Sequence, residues 1–426
     1  MQDHYGNKVS TASNDAVTGY DRGVYLFLSG THGAAEAFGQ AIAADDGFAL
    51  AHAGQARALM MGGDMAGSKA AIARADALAP GVTPREQAHI AAFVHLLSGR
   101  PADAMATVRA HVQEHPRDAM VAQLCTSVFG LIGFSGKTGR EAELLAYTAG
   151  LLPHYGEDWW MMSQHAVSLC ETGQLDASAT LMERSLALNP RNAHGAHFKA
   201  HEQYEAGETT AGRAYLGDWI TDYDRRSILH GHLSWHLALW ALHDGDTDAM
   251  WAAVDHGVAP GTGHSLPINV LTDTAAIYYR AEIAGHEVAP DRWAGLSDYA
   301  ANVFPQTGQS FADLHAALAH AMAGQGERLA QIAEGASGFA GDLVRPVARA
   351  WGAIARHDWA GALDGLLPAM AATERLGGSR AQRDLIELAY VNVLMRLGHS
   401  DEARHTLKLR RPVLTTKPPV SGLQMA

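Results

Sequence analysis

Two short stretches carry histidines at a spacing that suits chemistry: HFKAHEQYEAG at 197–207 and HLSWHLALWALHDGD at 232–246. In each the imidazoles stand four residues apart, so on a helix His197 and His201 share one face, as do His232 and His236. Two such pairs on adjacent helices fit two chemistries. Four convergent imidazoles suit zinc, iron or another divalent ion, with haem iron as a further option. Without metal, imidazoles in an apolar groove would titrate near neutrality and pass protons to and from an organic substrate. These four are the candidate catalytic residues and the candidate metal ligands. His194, Trp235, Asp273, Tyr278, Asp313 and His315 are the candidate substrate-binding residues. Asp273, Asp313 and His315 would complete or orient the ligand set. Other chemistries lack their motifs: there is no HExxH, no GK[ST] after Gly261–Gly263 and no serine nucleophile elbow.

The elements that must position these residues recur along the chain. The clearest copy, WWMMSQHAVSLCETGQLDASATLMERSLALNP at 159–190, has apolar residues at helical spacing on both sides of Thr172-Gly173 and stops at Asn189-Pro190. The same break falls near Gly63, Gly99, Gly207, Gly245, Gly285, Gly324, His357-Asp358 and Gly398. A period of roughly 34–40 residues is that of helix–turn–helix solenoids. The expected fold is therefore all-α, a right-handed α-solenoid of tetratricopeptide-like helix pairs, closed enough to form a central concave pocket. VFGLIGFSG near 128–136 reads as a loop or helix end. The expected organisation is N-terminal repeats over 1–150, a site-bearing repeat region over 151–410 and an extended tail over 411–426.

Residues 159–190 resemble the tetratricopeptide repeat. From about 190 to 410 the chain resembles the tetratricopeptide repeat protein 38 family. The matching pieces are HFKAHEQYEAG, HLSWHLALWALHDGD, LTDTAAIYYRAEIAGHEV, DRWAGLSDYA, FADLHAALAHAMAG and RAQRDLIELAYVNVLMRLGHSDEA. The resemblance implies the fold, but no settled reaction. It also implies that His197, His201, His232, Trp235, His236, Asp273, Trp293, Asp313, His315 and Arg383 occupy signature positions. Lys199, Gln203 and Tyr278-Tyr279 depart from the pattern. In such units the first helix lines the groove. Counting each turn glycine as position 15, His194, His197 and His201 fall at 2, 5 and 9, and His232 and Trp235 at 2 and 5.

Composition narrows the partners. The 426 residues are 47% hydrophobic and 18% charged, with a formal net charge of −13 and no basic stripe. That balance argues against nucleic acid and anionic membranes. No signal-like or membrane-length apolar segment is present, so a cytoplasmic location is expected. Cys125 and Cys170 support neither a disulfide framework nor a thiolate site. The leading expectation is an enzyme or binder of a compact organic small molecule, using the groove histidines for acid/base or metal-assisted chemistry. A homodimer is a further expectation. The alternative is an interaction scaffold that binds a peptide along the groove.

Overall fold

The turn inside each repeat is built by two adjacent residues. The first adopts left-handed backbone, as at Gly63 (φ 86°) and Gly245 (φ 75°), and His357 takes the same conformation at φ 60°. In three of these turns the second is an aspartate whose side chain caps the next helix. Asp64 accepts from the Gly67 N–H, Asp246 from Ala249 and Asp358 from Gly361. An N-cap of this kind stabilises a helix by about 1 kcal/mol. A small residue then lets the two helices approach closely. Ser68 Oγ donates to the Ala56 carbonyl at 2.8 Å, and Ser178 Oγ to the Ala166 carbonyl at 2.7 Å, the same twelve-residue step in two repeats.

A computed structural model describes residues 1–410 and bears out the all-α fold, with no strand among the described residues beyond one isolated bridge, Gln2 to Lys8. The expected tail at 411–426 lies outside the described residues. Two compact units are present: residues 1–133, 141–198 and 226–229 form the first, and 134–140, 199–225 and 230 onward the second. VFGLIGFSG is a run of turns, as expected.

The first unit stacks the hairpins Asn14–Leu28 with Ala34–Ala44, Ala49–Met61 with Met65–Leu78, Pro84–Leu97 with Pro101–Glu114, and Trp159–Glu171 with Leu175–Leu188. Their common core runs from Tyr5 and Val9 to Trp160 and Met161. The residues before the first helix are tied to this core. Ser10 N–H donates to Glu86 Oε1 at 2.8 Å, Arg85 Nη2 to the Lys8 carbonyl at 3.0 Å, and Arg117 Nε to the Tyr5 carbonyl at 2.8 Å.

The second unit stacks His230–Asp244 with Thr247–Ala253, Pro267–Ile283 with Pro290–Val303, Ser310–Met322 with Gly326–Gly335, Gly341–Ala355 with Trp359–Met370, and Arg380–Arg396 with Ser400–Arg410. In the first unit the helices 14–28, 49–61 and 84–97 touch in turn, in the second 230–244, 267–283, 310–322 and 341–355 do, and the helix 380–396 packs on 359–370 and returns to 267–283. There Arg280 Nη2 donates to the Ala381 carbonyl at 2.8 Å. Tyr204 Oη donates to Asp384 Oδ2 at 2.7 Å and accepts from Arg280 Nη1 at 3.2 Å. The first helices of this unit therefore bury charge as well as hydrocarbon.

Candidate functional site

His197 and His201 sit one turn apart on the continuous helix Ala193–Ala206, and His232 and His236 one turn apart on His230–Asp244. The structure brings all four together: one ligand nitrogen from each lies within 4.8 Å of the other three, and all four side chains are buried. The His201 and His236 rings meet edge to face with centroids 4.6 Å apart, and His232 and His236 likewise at 5.1 Å. The helix 230–244 is buried at Gly231–His236 and again at Ala238–Leu242, so it has almost no solvent face.

For His201 and His236 that depth corrects the expectation of titration near neutrality. Burial, with His232 as a smaller contributor, pushes His201 down to about 3. Burial followed by His201, His232 and Arg280 holds His236 well below the usual histidine range. Both rings are neutral at physiological pH and poorly matched to proton transfer there. Their environment suits lone-pair donation instead.

Of the candidate neighbours, Asp273 joins the group. Its Oδ2 lies 2.6 Å from His232 Nδ1, with the Asn269 amide 3.4 Å from the same oxygen. Burial raises the Asp273 carboxyl, against the opposing pull of His232 and of its hydrogen bonds to His232, Asn269 and Gln382. Trp235 is fully buried and stacks on His232 at 5.3 Å between centroids, so it is an inner packing residue and not the wall of an open groove.

The other candidates face different surroundings. His194 packs beside Gly30 and Phe198 in the first unit, where burial pushes it down to about 4. Tyr278 meets Trp293 at 5.3 Å and Trp251 at 6.0 Å. Asp313 accepts from the Gly308 N–H at 2.9 Å, and burial raises its carboxyl to about 6. His315 Nδ1 bonds back to the Phe311 carbonyl at 2.7 Å, one turn earlier. None of these four belongs to the convergent group.

Sequence reasoning missed a second polar centre, in the first unit. Asp118 accepts from His89 Nδ1 at 2.9 Å, His111 Nε2 at 3.0 Å and the half-buried Arg85 Nη1 at 2.6 Å, with Asp118 and both histidines in the interior. Burial raises its carboxyl, but the charges and hydrogen bonds of His89, His111 and Arg85 outweigh it and hold the group well below the usual carboxylate range. The members come from two helices and a turn, with no spacing to connect them. It also missed Asn269, whose place one turn before Asp273 was the available signal.

No family model matches the chain. Among solved structures it is similar to the human IFIT1 dimer with PPP-AAAA, at 13% identity and TM-score 0.43 over 88% of both chains. The human IFIT1 dimer with m7Gppp-AAAA gives the same values. Yeast Tom70 matches at 13% identity and TM-score 0.36, over 96% of this chain and 94% of that one. These are tetratricopeptide-like helical-repeat proteins, and the helix pairs described above place this chain in that fold class. One expectation is corrected by them. The expected partner, a small molecule with nucleic acid excluded, stands against the IFIT1 structures, which are with PPP-AAAA and m7Gppp-AAAA.

Proposed function

We propose that the chain is a helical-repeat binding scaffold whose partner is a protein segment. The observation that supports this reading is the stacking of hairpins, with three first helices in sequential contact in the first unit and four in the second. Such stacks present a run of neighbouring helices as a long surface, which is how repeat architectures recognise partners. The burial of His201 and His236 as neutral rings weighs against the competing reading of an acid/base enzyme. The narrower resemblance to the tetratricopeptide repeat protein 38 family belongs to this reading. It rests on the matching sequence pieces between about 190 and 410, HFKAHEQYEAG and HLSWHLALWALHDGD among them.

The net charge of −13 favours a partner segment rich in Lys and Arg. Selection of displayed random peptides against the immobilised full chain, followed by calorimetry, tests the proposal. Saturable one-to-one binding of basic peptides is the expected result. Failure to enrich any peptide, with saturable binding of an AAAA oligonucleotide instead, would replace the protein partner by RNA.

A further inference from the structure

We propose that His197, His201, His232 and His236 form a closed transition-metal centre of the zinc class, with Asp273 as its orienting carboxylate. This inference is independent of which partner the scaffold binds. Its first support is geometry. Four imidazole nitrogens around zinc at about 2.0–2.1 Å stand roughly 3.4 Å from one another. The four here are already within 4.8 Å, so side-chain rotation alone closes the set. The two helices supply their ligands at the same one-turn interval, which fixes four rings with two rigid rods.

The donor set decides the class of ion. Four nitrogens and no oxygen or sulfur suit zinc, cobalt, nickel or copper, and poorly suit calcium or magnesium, which demand oxygen. The cysteines Cys125 and Cys170 are not in the group. Asp273 supplies what a nitrogen-only centre lacks. It lies 2.6 Å from His232 Nδ1, so with the ring proton on Nδ1 it would accept that N–H and leave the Nε2 lone pair for the metal. Asn269, at 3.4 Å from the same carboxylate oxygen, holds it in place. Asp273 thus acts through His232 and is a positioning residue, not a ligand.

Four protein ligands fill a tetrahedral ion completely, and all four are buried. Sites of that kind are structural: they stabilise the fold and leave no position for a substrate. The ion would clamp the helix 193–206 to the helix 230–244.

The test uses the full chain, stripped with chelator under conditions that preserve its helical circular dichroism, then titrated with Co(II) and Zn(II). The expected result is one ion per chain, the intense visible bands of four-coordinate Co(II), and a higher melting temperature on loading. His201→Gln should abolish those bands. Asp273→Asn should weaken binding by 10- to 100-fold and shift the bands, while His256→Ala, at an exposed histidine, should change neither. Should His201→Gln fail to fold, the Asp273→Asn titration decides alone. The proposal is overturned if folded, stripped wild type takes up neither ion, or if Asp273→Asn binds as wild type does. Either outcome leaves the four rings as a packed polar core.

Discussion

A buried imidazole that stays neutral ties stability to pH, and the chain has several. His315 bonds to the Phe311 carbonyl and His320 to Ser297 Oγ, and burial pushes each down to about 4. Above about pH 6.5 both folded and unfolded forms are neutral, so neither group affects stability. Below it the unfolded chain takes up protons that the folded chain refuses. Each group then costs about 1.4 kcal/mol per pH unit until its folded value is reached. Urea titrations from pH 7.5 to 5 should show a falling midpoint, and His320→Gln should flatten that fall by one group's share. An unchanged slope in the variant would mean that His320 ionises in place. His236→Ala should cost roughly 2–4 kcal/mol by emptying a fully buried site, read as a drop in melting temperature. The spacing of the four histidines was legible because helix periodicity fixes which residues share a face. Their depth was not, because the same spacing serves an open groove and a closed interior. Trp235 shows the limit: repeat position placed it at a groove, and packing placed it in the core.

At the scale of elements, the approach of the helix 230–244 to the π-turn Val254–Val258 leaves no space for side chains. A Cβ at Gly231 would stand 2.2 Å from Ser265 Oγ and 2.5 Å from the Gly257 carbonyl, and one at Gly257 would stand 2.4 Å from Ser234 Oγ. Gly231→Ala should therefore destabilise by about 1–3 kcal/mol despite alanine's better helix propensity. A calorimetric melt at or above the wild-type temperature would show that the turn yields. The helix breaks were readable from Gly-Asp and His-Asp pairs, since left-handed backbone and an N-cap are local demands. The π-turn was not, because it answers to the neighbouring helix, and neither was the Asp118 centre, whose members meet only after two helices pair.

At the scale of the molecule, the charge of −13 sets how a partner arrives. If the partner is a basic segment, its affinity should fall as salt rises from low to physiological strength, with most of the change in the association rate. Stopped-flow binding at several salt concentrations checks this. A flat response would point to apolar recognition. The all-α repeat class was legible from periodicity. The division into two units was not: 134–140 joins the second unit by packing Phe134 near Phe311 and Phe339, long-range contacts without a local signal.

The segment ahead of the first helix is polar, as a solvent-borne strand would be. It is instead a structural plug, with Tyr5 and Val9 seated in the first unit's interior and Ser10 satisfying the carboxylate of a wholly buried Glu86. Trimming it to ease expression would remove the Ser10 hydrogen bonds from that carboxylate, leaving those from Thr83, and open two holes beside it. A truncation beginning at residue 12 should express as an aggregating chain, whereas an extension added ahead of Met1, 45% exposed, should be tolerated.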